Sequence, residues 1–440
     1  MSHHTNGLQA KEEHMSMKAR RTTTSRFQRL GIPPELVVIG VDIGQRDNVA
    51  VAQFGDGREA KPLPFHTTKE GFEELKRYGE KAVREAGAEG LVFAMEPTGH
   101  YGAPLEQWLV RQDMRVFRVQ PLFTNRAKEL YDGTWRKTDA KDARLIAHLC
   151  RRGVSSEWTL MDDVYAELRG LSRHWQQVGK NRSTATNRLI RHLDEIFPEL
   201  RGLFKDIRSR TLLELLKVAP TPGDIIELGL EELTKLIRRA SRGKLGRERA
   251  EQVLEAARTT IGGRQGLRAH AMAIREQVAI LEHTMAELDR IKKAMKVELA
   301  KVPYAKRLLS IPRLGEVTLA ILLGEFGDLR NYRHSAQLIK MAGLDLVEVS
   351  SGKRRGKRHI SRRGRAYARQ ILFLAALRLG NGVLKAPRRR MVEDNKVQPT
   401  KAAVANMRRL LRILHAMVRD DANFDATRHA PKGPEERMTA

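Results

Sequence analysis

Residues 36–57, LVVIGVDIGQRDNVAVAQFGDG, contain two apolar runs separated by a polar turn. The first run, residues 36–44, is typical of a buried β-strand, and Asp42 is an acidic residue within it. The second run ends in a Gly-Asp-Gly turn and predicts an antiparallel partner strand. Further apolar strand patterns downstream alternate with amphipathic helices, which is typical of an α/β domain. We therefore predict an α/β domain over residues 35–152.

Length and charge narrow the class of protein. A chain of 440 residues is too long for one compact core, so two or three domains are expected. The net charge of +28, from 81 Lys and Arg against 53 Asp and Glu, favours a polyanionic partner such as DNA or RNA. No run of about 18 apolar residues and no signal-peptide pattern is present, so we expect no membrane partner and a cytoplasmic protein.

The single cysteine limits the chemistry of the chain. Cys150 has no cysteine partner in the sequence, which excludes an intrachain disulfide and a zinc-finger cluster. It lies beside an apolar helical stripe that ends at Leu149. We interpret it as a packing residue.

The middle of the chain has a helical, coiled-coil pattern. Its apolar positions keep a four-three spacing, with Ala271 filling a gap: Leu267, Ile274, Val278, Leu281, Met285, Leu288 and Met295. A similar pattern begins at Leu168, Leu171, Trp175 and Val178. Two such helices can form an antiparallel hairpin or dimerise between chains, and the pattern does not decide between these arrangements.

These patterns divide the chain into five predicted parts. They are a disordered extension over 1–34, the α/β domain over 35–152, a helical region over 153–300 with an insert at 203–263, a C-terminal domain over 301–390, and a helical segment with a polar tail over 391–440.

The C-terminal domain is predicted to be mainly α-helical. Residues 308–328, LLSIPRLGEVTLAILLGEFGD, have the form helix, Pro-x-x-Gly turn, helix, which suits either a phosphate-binding helix-hairpin-helix or an ordinary helical hairpin. Residues 353–369 contain nine Lys or Arg and no acid. Because this run lies between an apolar segment and an apolar helix, we predict a folded basic surface rather than a solvated tail.

The stretch KTDAKDARLIAH, residues 137–148, places two acids unusually. On a helical wheel Asp142 shares a stripe with Ile146 and Leu149, and Asp139 is only about 60° away. The basic residues cluster on the opposite side, where we expect them to be available to nucleic acid. Two neighbouring buried carboxylates require a cation between them, whereas acids in an exposed first turn only favour the helix dipole. Both interpretations remain open from this stretch alone.

Two more acids interrupt apolar strand patterns. Asp42 lies in the first strand, and Glu96 ends a later strand just before Pro97. Together with Asp139 and Asp142 they provide the oxygen ligands that two Mg²⁺ ions need when a phosphodiester completes their coordination, and Mn²⁺ can substitute.

The motifs VDIG, MEPTGHYG and KTDAKDARLIAH resemble the DEDD signature of the insertion-sequence-one-ten transposases. SIPRLG, GEFGD, MAGL, SSG and ISRRG resemble their C-terminal transposase domain, so the resemblance covers roughly residues 36–380. It implies an RNase H-like, RuvC-type N-terminal fold and a bacterial, nucleoid-associated DNA recombinase. It also implies target and donor DNA, a bridge RNA that guides both, and a homodimer that pairs into a tetramer. Where the family more often has glycine in the turn, this chain has Arg313.

The resemblance also implies a nucleophilic serine and a nucleic-acid surface. In the family a C-terminal serine forms a covalent phosphoserine link with DNA; the matching position here is Ser351, with Ser350 as the alternative. Arg354 and Arg355 would stabilise charge on the phosphate. We assign nucleic-acid binding to these basic residues: Lys353, Arg354, Arg355, Lys357, Arg358, Arg362 and Arg363.

Three other classes of protein are alternatives. A RuvC-like Holliday-junction nuclease would use the same four acids without a covalent step. An actin-like or sugar-kinase ATPase also opens with Asp-x-Gly, but Gln45 and Arg46 and the lack of a convincing second phosphate loop weigh against it. A non-catalytic nucleic-acid-binding protein would need only the basic charge.

Overall fold

The structure, a computed structural model, describes residues 31–97, 99–132, 138–348, 356 and 358–427, with only the backbone of 129–132. Ser350 and Ser351 lie outside these described residues, as do Lys353, Arg354, Arg355 and Lys357. The chain divides into two compact units, residues 1–160 and 161–440.

The first unit contains a six-stranded mixed sheet. Its strands are β1 (Leu36–Asp42), β2 (Asp47–Gln53), β3 (Leu63–His66), β4 (Gly90–Met95), β5 (Val116–Arg118) and β6 (Ser156–Trp158), in the order β3-β2-β1-β4-β5-β6. β2 pairs antiparallel with both β1 and β3. β4 pairs parallel with both β1 and β5, and β6 pairs antiparallel with β5. The predicted antiparallel pair at residues 36–57 is therefore β1 and β2, and the unit is the expected α/β domain.

Four helices accompany this sheet: α1 (Lys69–Ala86), α2 (Ala103–Arg111), α3 (Pro121–Asp132) and α4 (Asp139–Arg151). The folded part of the chain includes residues before the predicted boundary at residue 35. Ile32 is buried, and its amide donates to Arg151 O at 2.9 Å. The predicted packing role of Cys150 is confirmed: it is buried in α4, and burial raises the pKa of its thiol to about 11.

Helix α4 lies directly on β1, and Gly40 makes this close approach possible. A Cβ atom at Gly40 would lie 2.1 Å from Ala143 O and 2.7 Å from Ala147 N. Both distances are far below van der Waals contact, so a residue with a side chain at position 40 would push the helix away from the strand. This contact sets the distance between the acids of β1 and those of α4.

The second unit is mostly helical. Its helices are α5 (Asp163–Ile196), α6 (Leu200–Leu203), α7 (Arg210–Val218), α8 (Pro222–Ala240), α9 (Arg247–Thr259), α10 (Leu267–Ala300), α11 (Ala305–Leu308), α12 (Glu316–Phe326), α13 (Ser335–Met341), α14 (Ala366–Leu379), α15 (Lys385–Arg389) and α16 (Pro399–Arg419). α8 is broken at Gly229, whose φ of 72° and ψ of 167° are not helical. A short ribbon, β7 (Leu346–Val347) with β8 (His359–Ile360), completes the unit.

The two long helices α5 and α10 pack against each other in one chain and run antiparallel. His174 contacts Glu287, and His192 contacts His270, so numbers rise along one helix as they fall along the other. Of the two arrangements left open by the sequence, the structure has the hairpin within the chain.

The predicted heptad on α10 is wrong at one position. Met285 is 38% exposed, whereas Thr284 is buried and its hydroxyl donates to Leu281 O. After Leu281 the buried stripe takes a step of three residues to Thr284 and then four to Leu288, the reverse of the predicted order. Threonine can be buried here because the hydrogen bond to Leu281 O satisfies its hydroxyl.

The inserted region packs as helices on one end of the long hairpin. Side chains of α7, α8 and α9 share a core with Leu189 and Leu193 of α5 and with Ile274 and Val278 of α10. The opposite ends of α5 and α10 share a separate core with α12, α14 and α16. The second unit therefore has one core at each end of the hairpin.

The turn between α11 and α12 explains why glycine suits position 313. Arg313 has a φ of 69°, a left-handed backbone conformation that is costly for residues with a Cβ and free for glycine. Its guanidinium Nη1 donates to Asn381 O at 2.9 Å, which offsets part of that cost. Arginine is tolerated here because its long side chain reaches a carbonyl that glycine cannot.

Candidate catalytic cleft

The register of two parallel strands brings Asp42 and Glu96 to the same edge of the sheet. Val41 of β1 lies opposite Met95 of β4. Asp42 and Glu96 follow these two residues, so both acids lie where the strands end. This edge is the carboxyl end of the parallel strands, the usual position for ligand sites in such sheets.

The start of helix α4 lies over this edge, since α4 runs opposite to β1. Thr138 caps the helix by accepting from Lys141 N, and Asp139 and Asp142 lie in the first turn. The other end of the helix is fixed by Arg151, whose guanidinium Nη2 donates to Leu36 O at 3.0 Å and Gln53 O at 2.8 Å. Contacts at both ends of α4 therefore fix the positions of Asp139 and Asp142.

All four acids line one cleft of about 290 Å³. Its described lining residues are Asp42, Ile43, Gly44, Asp47, Glu96, Thr124, Lys128, Asp139, Asp142, Leu145 and Ile146. Asp142 is mostly buried, with 15% of its side chain exposed, whereas Asp139 is exposed on the rim. The helical wheel thus placed both acids on the cleft side, but only Asp142 packs with the apolar residues.

The cleft carries an excess of negative charge. Among the described residues that line it are five carboxylates, and Lys128 is the basic side chain. The ammonium of Lys128 lies 3.0 Å from Asp142 Oδ2, and the carboxylate of Asp47 pairs with His66 Nδ1 at 2.8 Å on the exposed rim. Like charges this close repel each other unless a cation neutralises them.

Glu96 is held by a buried threonine. Thr124 is 1% exposed, and its hydroxyl donates to Glu96 Oε2 at 2.6 Å. The same hydroxyl is 3.0 Å from Pro121 O, one turn earlier in α3. Because Thr124 and Lys128 are four residues apart on one helical face, α3 contacts Glu96 and Asp142 together.

Sequence reasoning missed Asp47, Thr124 and Lys128, and it did not predict α3. The available signal was Pro121 at the start of this helix and Gly133 just after its end, the usual asymmetry of helix boundaries. Asp47 had a weaker signal, as the first residue of the strand that pairs with β1.

Two basic residues of α4 do not match the expectation that they face nucleic acid. Arg151 is half-buried against backbone carbonyls, and Arg144 pairs with Glu59 at 2.8 Å. Both bind the protein itself, because α4 lies flat on the sheet and its sides contact neighbouring strands and loops. The helical wheel could not show this, since it contains no information on the neighbours.

Three of the predicted nucleic-acid-binding residues are among the described ones. Arg358, Arg362 and Arg363 are exposed. Arg358 pairs with Glu348 at 2.7 Å, and this partner raises the pKa of the guanidinium. Glu348 and Arg358 directly adjoin β7 and β8, the ribbon on either side of the Ser-Ser-Gly stretch.

Carboxylate oxygens gathered at the edge of a mixed sheet are the ligands that divalent cations such as Mg²⁺ prefer, and metal-dependent enzymes that act on phosphodiesters use such sites. Two family models match the chain. The IS110 DEDD transposase model matches residues 39–198, and the model of the IS116/IS110/IS902 transposase family matches residues 305–386. The chain belongs to this family of DNA transposases. Its substrate is therefore DNA, and the acid-lined cleft indicates a divalent metal ion.

Relatives extend over most of the chain. The uncharacterized 44.8 kDa protein of insertion element IS116 from Streptomyces clavuligerus is 26% identical, covering 88% of this chain and 95% of that protein. The uncharacterized 43.6 kDa protein of insertion element IS110 from Streptomyces coelicolor is 27% identical, covering 89% and 96%. This membership removes the ATPase alternative.

A solved structure also matches. T. thermophilus RuvC in complex with a Holliday junction substrate covers 28% of this chain and 99% of that chain, with 14% identity and a TM-score of 0.21. The assignment of the first unit as resembling an RNase H-like fold rests on its strand order and the family match. No helix within the described ranges is long and apolar enough to cross a membrane.

Proposed function

We propose that this transposase cleaves and exchanges DNA strands through a covalent phosphoserine intermediate, with target and donor DNA selected by a bridge RNA. The observation that supports it most is the convergence of Asp42, Glu96, Asp139 and Asp142 on one cleft. Under this proposal these four acids are catalytic, and Ser351 is the nucleophile, with Ser350 as the alternative.

The donor set of the cleft fits Mg²⁺. Magnesium prefers carboxylate oxygens and water, and the four acids supply oxygens on three different elements. Two Mg²⁺ ions, or Mn²⁺ in their place, would be held by Asp42, Glu96, Asp139 and Asp142. When bound, such ions activate the attacking oxygen and stabilise the leaving one.

The side chains of this chain then have distinct tasks. The acids would hold the metal ions beside which the scissile phosphodiester is positioned, and Thr124 keeps Glu96 in place through its hydrogen bond. The Ser351 Oγ forms a bond to phosphorus as one bond from phosphorus to a deoxyribose oxygen breaks. The serine proton passes to water, and the released deoxyribose oxygen takes up a proton to become a hydroxyl. Lys353, Arg354, Arg355 and Lys357 bind the nucleic-acid backbone together with Arg358, Arg362 and Arg363.

The assembly is proposed to be a homodimer that pairs into a tetramer on two DNA duplexes in the bacterial nucleoid. The hairpin of α5 and α10 would be its coiled-coil region, and the turn between α11 and α12 would contact a phosphate as a helix-hairpin-helix element. A mass measurement of the complex with RNA and both DNAs tests the assembly. A single protomer in that complex would contradict it.

RNA dependence is the sharpest test of the guided mechanism. Purified protein is incubated with target and donor plasmids, with and without the structured non-coding RNA transcribed beside its reading frame. We expect recombinant junctions only with the RNA, because base pairing rather than protein contacts would select the sites. Junctions at the same frequency without RNA would contradict guidance, while leaving transposition itself intact.

Thr124→Val should weaken activity through Glu96. Valine has nearly the same shape but cannot donate a hydrogen bond, so Glu96 loses the contact that orients it. Loss of such an outer partner typically lowers metal affinity or activity about 10- to 100-fold. We expect the Mg²⁺ concentration for half-maximal strand cleavage to rise by that factor.

The matched control for this variant is Thr124→Ser, which keeps the hydroxyl and should retain the wild-type Mg²⁺ requirement. If Thr124→Val also keeps that requirement, Thr124 does not position Glu96.

A further inference from the structure

Two histidines meet at the end of the long hairpin, far from the acids in sequence. His192 of α5 and His270 of α10 place their Nδ1 atoms 3.1 Å apart, with the rings nearly perpendicular. Glu195, one turn after His192, has its Oε2 3.5 Å from His270 Nε2. Possible ligand atoms of these three side chains lie within 4.8 Å of one another.

The spacing of the two nitrogens matches one edge of a metal site. Zinc bonds imidazole nitrogen at about 2.0–2.1 Å in tetrahedral geometry, which puts two such nitrogens about 3.3 Å apart. The observed 3.1 Å is within a few tenths of an ångström of that value. The two nitrogens are therefore about as far apart as two ligands of one ion.

The carboxylate lies where an outer partner of a metal-bound histidine belongs. Ligating histidines usually donate their other ring N–H to a carboxylate, which fixes the tautomer. Glu195 faces the Nε2 of His270, so it favours the tautomer whose Nδ1 is free for a metal.

This site lies where the inserted helical region connects to the long hairpin, at the end of α5 and the start of α10. The insert leaves α5 after Ile196 and returns to α10 at Leu267. Gly263 N donates to Glu195 O at 2.8 Å, and Thr260 Oγ1 donates to Glu199 Oε2 at 2.6 Å. An ion bound here would link the end of α5 to the start of α10, between which the inserted region lies.

We propose that His192 and His270 bind a divalent transition metal ion of the zinc class, with Glu195 positioning His270 and water completing the coordination. Imidazole ligands suit such metals, whereas the acid cleft suits hard cations such as Mg²⁺. In the metal-free protein the two Nδ1 atoms share one hydrogen bond. Metal binding requires both Nδ1 atoms to be unprotonated, so each ring then carries its proton on Nε2.

The test is a Co²⁺ titration of the full-length protein in excess Mg²⁺, monitored by visible absorption. Magnesium fills the carboxylate cleft and competes poorly for imidazole. We expect one equivalent of Co²⁺ to produce the absorption bands of a low-coordinate site with nitrogen ligands. Zinc should displace it.

The variants assign the ligands. His192→Ala and His270→Ala should abolish the bands, and Glu195→Gln should weaken binding about 10- to 100-fold. His192→Gln, which keeps helix propensity and polarity, guards against a folding defect and should also abolish the bands. The matched control is His174→Ala, which removes the other histidine–acid pair of the same hairpin and should bind as wild type does.

Two outcomes would overturn the proposal. One is the absence of the bands in the wild-type protein. The other is retention of the bands in folded His192→Gln and His270→Ala variants.

Discussion

Asp142→Asn is expected to abolish strand cleavage while leaving DNA binding intact. The substitution keeps the shape of the side chain but removes one of the negative charges that a metal ion in the cleft requires. We expect a loss of at least roughly 10²–10³-fold, the size seen when a group that stabilises transition-state charge is removed. DNA binding persists because it depends on the basic surplus of the chain.

The substitution should be tolerated by the fold. Asp142 loses its ion pair with Lys128, but the Lys128 side chain is 39% exposed and can be hydrated instead. The matched control is Glu59→Gln. It removes an ion pair with Arg144, which is also on α4, and neither residue lines the cleft. This control should cleave at the wild-type rate.

Cleavage and DNA binding are measured on the same preparations, by product formation on labelled duplex and by electrophoretic mobility. Asp42→Asn and Glu96→Gln should behave as Asp142→Asn does. Wild-type cleavage by Asp142→Asn would remove the cleft from the mechanism and leave a binding protein driven by charge.

Ser351→Ala is expected to eliminate the covalent protein–DNA adduct completely. Alanine has no oxygen that could attack phosphorus, so no slower version of the same covalent step remains. The adduct is detected as labelled DNA that migrates with the protein after denaturation. Ser350→Ala is the adjacent matched control, and it should form the adduct as wild type does.

The serine variants also separate two mechanisms that share the acid cleft. If Ser350→Ala loses the adduct and Ser351→Ala keeps it, the nucleophile is Ser350. If the double variant still exchanges strands, the covalent mechanism is wrong. A junction-resolving nuclease that uses the four acids alone would then be the better description.

Local patterns in the sequence were sufficient to predict the strands β1, β2, β4 and β5 and to select the candidate acids, whereas the short strands β3 and β6 were not predicted. Asp42 and Glu96 stand out because each interrupts an apolar strand pattern, and Asp142 because it shares a helical stripe with Ile146. Most of the apolar stripe predicted on α10 is buried, and the prediction failed at Met285, where Thr284 is buried instead. Such predictions depend on the spacing of apolar residues within a short segment, which can be read directly from the sequence.

Other features had no local signal. On the helical wheel Arg151 lies on the basic side that was expected to face nucleic acid, yet its guanidinium donates to Leu36 O and Gln53 O. Thr124 is an ordinary threonine in sequence, and only packing brings its hydroxyl to Glu96. Each of these contacts joins residues that are far apart along the chain.

The sequence by itself predicted the strand pair at residues 36–57 and the four candidate acids, because apolar periodicity is a property of short segments, and its motifs resembled the family to which the chain belongs. Only the tertiary structure decided how α4 meets β1 at Gly40, which residues hold the acids, and that α5 and α10 pair within one chain. The physical reason is that these outcomes depend on steric fit and hydrogen bonding between distant segments, which a linear pattern does not record.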